Sequence, residues 1–281
     1  MKVLLTGGSG KLGRYMLPLL RQSGHIVTNF DRQSFDEETD TTIVGDIEDL
    51  PAVVQAAENA EVILHLAGIP TYGVAPDNVT FRVNAMGAFN IHEAARISGV
   101  RRVVSLSSEA VLGWSPGTWV NPHFPDYLPI DENHVCQPQD PYGLSKQVLE
   151  CVGRTFTARY GLETLFIRAT WIASPEEMEQ LARSGGRRPV DFGLFHYIDV
   201  RDLAQACLRA VDCPLTGSQA IYVGAGETSI SEPLSSLYQK LAPSVAESAS
   251  MLTGHSAPVS IELAKKLLGW SPERSWRKFK L

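Results

Sequence analysis

The chain has 281 residues, 44% of them hydrophobic and 20% charged, with a net charge of −6 at neutral pH. That is the composition of an ordinary globular protein, long enough to bury a full core as one large domain or as a nucleotide domain with a smaller lobe. An acidic balance without a basic stripe argues against a nucleic-acid partner, and no apolar run approaches the roughly 20 residues of a membrane span.

Apolar runs alternate with amphipathic segments along the chain, the pattern of βαβ units around a parallel sheet. Residues 2–6 read as a buried strand and residues 11–23 as a helix, closed by Gly24 at its C-terminal cap and open to a kink at Pro18. Strands follow at 25–30 and 41–44, a helix at 48–57, a strand at 62–65 and a long helix at 76–98. Residues 102–106 form the fifth strand. Residues 113–139, rich in proline and aromatics, read as a long loop of the functional kind. A helix at 140–160 and a strand at 163–168 come next. Beyond them the pattern predicts helices at 175–183, 200–211, 231–241 and 261–268, with short strands at 195–198 and 220–223.

The short N-terminal apolar stretch runs directly into a glycine motif, too short for a signal peptide. Cys136, Cys151, Cys207 and Cys213 form no C-x-x-C pair, so no metal site is expected, and scattered free cysteines fit a reducing cytoplasm.

The glycine motif is Thr6-Gly7-Gly8-Ser9-Gly10-Lys11-Leu12-Gly13. Between a strand and a helix its glycines have separate tasks. Gly7 allows the tight turn, Gly10 lets backbone approach a pyrophosphate, and Gly13 lets the helix pack on the strand. The phosphates then meet the free N–H groups and positive end of the helix, with Lys11 and Leu12 among the residues facing them. Asp31 closes the second strand, where a carboxylate accepts from the adenosine ribose and repels a 2′-phosphate. The reading is NAD. Arg32 beside it keeps NADP open, since a guanidinium pairs with that phosphate. Asp46 and Ile47 follow the third strand, and Asp46 reads either as an adenine contact or as a helix cap. Leu66-Ala67-Gly68 ends the fourth strand beside the same cleft.

The chemistry reads from Ser107-Ser108-Glu109 at the end of the fifth strand and from Tyr142 and Lys146 on the following helix. Four residues apart, Tyr142 and Lys146 share one helix face. A cation there is expected to draw the phenol from about 10 toward neutrality, making it a proton carrier at a hydroxyl or carbonyl oxygen. Ser108 is placed to hydrogen-bond that oxygen. The run Arg183–Arg188 carries three arginines and two glycines. It reads either as a solvated loop or, through Arg183, Arg187 or Arg188, as a clamp on a substrate carboxylate.

With these motifs together, the sequence resembles the extended short-chain dehydrogenases/reductases, the NAD-dependent epimerase/dehydratase family. Further matches are His65-Leu66-Ala67-Gly68, Asn84-x-x-Gly87-x-x-Asn90, Pro129-Ile130-Asp131-Glu132, Tyr197-Ile198-Asp199-Val200-Arg201-Asp202 and Ala264-Lys265-x-Leu267-Leu268-Gly269-Trp270. The resemblance implies Tyr142 as acid/base, Lys146 as its tuner and a nicotinamide-ribose ligand, Ser108 on the substrate oxygen and Asn84 in a proton relay. It also implies a homodimer through the helices bearing Asn84 and Tyr142.

The departures carry information too. Sugar-nucleotide dehydratases of the family place Asp-Glu where this chain has Glu109-Ala110. The segment from Arg168 to Tyr197 is short for a nucleotide-sugar lobe, and in this it resembles the compact uronate-dehydrogenase-like members. The expected fold is therefore α/β: a Rossmann-type doubly wound parallel sheet with a small C-terminal substrate lobe. Residues 1–168 bind the dinucleotide. Residues 169–281 form the substrate lobe, interleaved with the last part of the Rossmann fold. The expected function is cytoplasmic NAD(P)-dependent hydride transfer with a small polyhydroxylated substrate, a sugar or sugar acid, contacted by Ser108 and Glu109. A nucleotide-sugar epimerase is the alternative, and a cofactor-binding regulatory protein the lesser one.

Overall fold

The computed structural model describes residues 1–34, 41–113, 124–186, 194–241 and 243–279. Along the chain run β1 (Lys2–Thr6), α1 (Gly13–Gln22), β2 (Ile26–Asp31), β3 (Thr41–Val44), α2 (Leu50–Ala56), β4 (Val62–His65), α3 (Asp77–Ile97) and β5 (Arg102–Ser108). There follow α4 (Pro141–Tyr160), β6 (Glu163–Ala169), β7 (Trp171–Ala173), α5 (Pro175–Arg183), β8 (Tyr197–Asp199), α6 (Val200–Asp212), β9 (Ser218–Val223), α7 (Leu234–Leu241), α8 (Ala246–Ala249) and α9 (Glu262–Leu268).

Seven strands form one sheet in the order β3-β2-β1-β4-β5-β6-β9, and every pairing in it is parallel. Its central strands are apolar on both faces, as a sheet covered on both sides requires; Val62–His65 is buried throughout. One face packs on α1, α6 and α9 through Met16, Leu17, Leu20, Leu203, Ala206 and Ala264. The other packs on α2, α3 and α4 through Val53, Ala56, Ile91, Ala94 and Phe156. This is the doubly wound architecture expected, and its strand order reverses between β1 and β4. A crevice opens at such a switch point outside the carboxyl ends of the strands.

Several elements differ from the expectations. Helix α1 begins at Gly13 rather than Lys11, because Gly10 N donates to Gly7 O and holds residues 7–10 in a turn. Pro18 lies within α1, which continues to Gln22. Helix α2 starts at Leu50 with Asp49 as its cap, its side chain accepting from Ala52 N at 3.2 Å. Helix α8 (Ala246–Ala249) was not anticipated, nor were two further features. Among the described residues strand β7 pairs with β8 alone (Trp171 opposite Tyr197), and the tail past α9 folds back on the C-terminal elements. There the Asp202 carboxylate accepts from Glu273 N and Arg274 N at 2.9 and 2.8 Å, and the Trp276 indole donates to Thr228 O at 2.9 Å. No helix among the described residues is long and apolar enough to cross a membrane.

Candidate active site

The turn after β1 is built around contacts that exclude side chains. Gly7 has φ +80°, and a Cβ there would lie 2.7 Å from Ala67 N; a Cβ on Gly13 would lie 2.2 Å from Gly7 O. The loop after β4 is drawn against this turn. Thr6 Oγ1 hydrogen-bonds His65 Nδ1 at 2.8 Å and accepts from Ala67 N at 3.3 Å. Burial, with Lys146 adding to it, holds His65 well below the ordinary histidine range, so the ring is neutral at physiological pH.

A cleft of about 530 Å³ lies along this edge, lined by Gly7, Gly10, Asp31, Arg32, Ile47, Leu66, Ala67 and Gly68 among others. Asp31 is fixed at its mouth, accepting from Ser9 N at 2.9 Å and Gln33 N at 3.1 Å. Two backbone donors pin the carboxylate beside the turn. The other expected cofactor residues are distributed differently. Leu12 is buried in the core under α1. Asp46 accepts from Glu48 N at 3.0 Å and stands 3.7 Å from Arg32 Nε, so it caps its own turn and faces the arginine. The Lys11 side chain leaves the turn for Ile172 O and Glu177.

Replacing Asp31 by alanine removes both the ribose acceptor and the charge that opposes a 2′-phosphate, leaving Arg32, 72% exposed, to attract it. The preference for NAD over NADP should fall about ten- to a hundredfold, as expected for one charge-assisted contact of about 1.5–3 kcal/mol. An unchanged ratio of kcat/KM for the two cofactors would assign discrimination elsewhere.

Ser108 ends β5 opposite Ala169, its hydroxyl accepting from Ala110 N at 3.1 Å and near enough to the Tyr142 phenol to favour its ionised form. Asp140 caps α4, accepting from Gly143 N at 2.8 Å, and so sets where Tyr142 emerges from the first helical turn. Lys146 lies one turn on, its Nζ 5.7 Å from the tyrosine ring centre and donating to Leu106 O at 2.8 Å. Asn84 is buried and fully engaged, accepting from Ile69 N at 2.8 Å and donating to Ile69 O and Ser145 Oγ at 3.1 Å each. It therefore joins the loop after β4 to α4.

One expectation is corrected here. The protein by itself does not draw the Tyr142 phenol toward neutrality. Burial pushes it up to about 12, the Ser108 hydrogen bond offsets only part of this, and the Asp140 and Glu109 charges add to it. Lys146 is itself moved down to about 8 by burial. The spacing brought the two groups to one face, but desolvation of both outweighs their mutual effect.

The sequence reading also missed the anchor behind this site. Glu150, one turn beyond Lys146 on the same face of α4, is gripped by Arg168 of β6 through Nε and Nη2, each at 2.9 Å. Ser107 Oγ donates to the same carboxylate at 2.8 Å, and Arg168 Nη1 donates to Tyr222 OH at 3.1 Å. The signals were present: a Tyr-Lys-Glu stripe at steps of four, and an arginine in an apolar strand that requires an anion.

Of the arginine run, Arg183 is 66% exposed and binds Glu179 one turn back at 2.6 Å, while Arg187 and Arg188 lie outside the described residues. Glu109 begins a short 3-10 turn (Glu109–Leu112) beside the site, its charge felt by both Tyr142 and Tyr238.

The profile of the NAD dependent epimerase/dehydratase family matches residues 3–189. A uronate dehydrogenase of Pseudomonas syringae pv. tomato is 28% identical over 79% of this chain and 73% of its own length. A UDP-glucose 4-epimerase of Corynebacterium glutamicum is 27% identical over 98% of this chain and 92% of its own. Among solved structures, MoeE5 in complex with UDP-glucose and NAD superposes with a TM-score of 0.74 at 25% identity, over 99% of this chain and 95% of that one. The glycine turn, pinned Asp31 and Ser108-Tyr142-Lys146 group fit the cofactor that the family's description names, and this chain is a member of the NAD-dependent epimerase/dehydratase family.

Proposed function

We propose that the protein is an NAD-dependent dehydrogenase of a small polyhydroxylated substrate, a free sugar or sugar acid. The observation that carries the reading is the gathering of Ser108 at the carboxyl end of β5 with Tyr142 and Lys146 on α4, Lys146 Nζ lying 5.7 Å from the tyrosine ring centre and bonded to Leu106 O, on the sheet edge that holds Asp31 and the glycine turn. Bound NAD supplies a hydride acceptor at its nicotinamide. The chain's own residues handle the oxygen and the proton. Ser108 holds the substrate oxygen, and Tyr142 takes the proton from it during oxidation or returns it during reduction. Lys146, held on the Leu106 carbonyl, supports the ribose, and Glu109 accepts from substrate hydroxyls.

Residues 1–168 carry the dinucleotide in this reading, and residues 169–281 supply a substrate lobe together with α6 and β9 of the main sheet. Between Ala169 and Tyr197 the described residues contain only β7 and α5, which favours a small substrate. Arg183 pairs with Glu179 on its own helix in an exposed contact, so a substrate carboxylate would have to compete with that weak pair. A homodimer through α3 and α4, in the cytoplasm, completes the reading. Met86, Phe89, Leu144 and Tyr160 leave apolar surface exposed on those helices, each more than 40% accessible. A monomer in analytical ultracentrifugation would remove that part.

A second reading, nucleotide-sugar epimerisation, is favoured by the likeness to MoeE5, a chain of similar extent that holds UDP-glucose. A panel of free sugars, sugar acids and UDP-sugars, followed by NADH absorbance with NAD and NADP, separates the two. Net NADH with a free sugar or sugar acid is expected. Conversion of a UDP-sugar with no net NADH would establish the epimerase instead.

A further inference from the structure

Lys11 lies between the last two glycines of the phosphate turn, yet its side chain crosses to another part of the molecule. Nζ donates to Ile172 O of β7 at 3.0 Å and to Glu177 Oε2 of α5 at 2.6 Å. Glu177 is held in place before Lys11 arrives. It is the third residue of α5, and the same oxygen accepts from Ser174 N at 2.6 Å in a reciprocal capping box. A carboxylate already fixed by its helix cap loses little further freedom on pairing, which favours a persistent contact.

The topology gives this contact its meaning. In the sheet, β1 is followed by β4, β5 and β6, and β7 and α5 continue the chain beyond β6. The Lys11–Glu177 pair therefore closes a ring that runs from the turn after β1, through the ladder of β4, β5 and β6, and back through β7 and α5. The carboxyl ends of β4 and β5, with Ala67, Gly68 and Ser108, belong to that ring; Asp31, at the end of β2, lies outside it. Asp31, at the end of β2, and Ser108, at the end of β5, thus lie on opposite sides of the turn to which Lys11 belongs, and Gly7 and Gly10 of that turn line the cleft.

We propose that Lys11 and Glu177 form a strap over the dinucleotide. It must open for the cofactor to enter or leave, and so governs the rate of cofactor exchange rather than its affinity. Lys11 acts here as a positioning residue. Its charge is committed to Glu177 and the Ile172 carbonyl and is not a phosphate ligand. The strap rests on NAD binding at this cleft, and it holds for either substrate reading.

The test is stopped-flow NADH fluorescence on the whole chain and its Lys11→Gln, Glu177→Gln and doubly substituted variants. Glutamine at 177 keeps an oxygen for the Ser174 N–H, so the helix cap survives, and both positions are substantially exposed, 47% and 37%. Each single variant should raise the association and dissociation rates together by up to about fivefold, the scale of one exposed ion pair, leaving Kd within about twofold. The double variant should match the single ones, because both remove the same contact. Salt should speed exchange in the unmodified protein and have less effect in the variants. If Lys11→Gln weakens NADH binding while Glu177→Gln tightens it, Lys11 is a phosphate ligand and the strap is wrong. Unchanged rates in both variants would overturn it equally.

Discussion

Tyr142→Phe should lower kcat by about 10²–10⁴-fold and leave NADH affinity within about twofold, because general acid–base catalysis is worth that much and the phenol adds little to dinucleotide binding. The substitution keeps the ring, its packing and the helix that Asp140 caps; only the oxygen that meets Ser108 is lost. The phenol's elevated position gives the reaction a direction in pH. Oxidation needs the deprotonated form, which is scarce below about 12, so kcat/KM for oxidation should climb from neutral into alkaline solution. Reduction uses the protonated form and should show no such rise. A phenylalanine variant that keeps more than about a tenth of the rate would contradict the acid/base role.

The largest effect on stability is expected from Glu150→Ala. Arg168 is only 5% exposed and Glu150 only 1%. Burial alone would raise the Glu150 carboxyl, but the hydrogen bonds and charge of Arg168, with Ser107 and Arg154, hold it below the ordinary glutamate range. The guanidinium is moved the other way, above its usual range, because the same pairing overcomes its own desolvation. Removing the carboxylate strands a buried cation between β6 and α4, with Tyr222 OH as a neutral partner. Urea unfolding should report a loss of about 3–5 kcal/mol, as for a broken buried pair. Glu150→Gln, which keeps the shape and an acceptor, should cost less. A loss below about 1 kcal/mol in the alanine variant would mean that water reaches Arg168 and the pair is not a buried one.

What was legible in the sequence follows from which physical constraint decides each feature. The glycine turn was readable because Gly7 and Gly13 are demanded by backbone contacts of 2.7 and 2.2 Å, which no other residue meets. The sheet was readable because its strands are apolar on both faces. Tyr142 and Lys146 were readable as a pair because helical geometry alone puts them together. The ionisation of that pair was not, since it depends on how much water the fold removes from each. Strand β7 escaped because three residues carry no usable period, and it exists through its pairing with Tyr197–Asp199. The Lys11 contact escaped for a related reason: its partner stands 166 residues away in sequence. For Arg183 the spacing to Glu179 was visible, and the two do pair on their own helix.

Net hydride transfer from a small substrate to NAD at the Ser108-Tyr142 site can be followed by isotope tracing. Once a turned-over sugar or sugar acid is found, it is prepared with deuterium on the carbon that bears the reacting hydroxyl and incubated with NAD. Mass spectrometry then follows the label. Deuterium should appear in the reduced cofactor in step with oxidised product, and both should be lost in Tyr142→Phe. Deuterium returned to an isomerised sugar, with the released cofactor unlabelled, would contradict it.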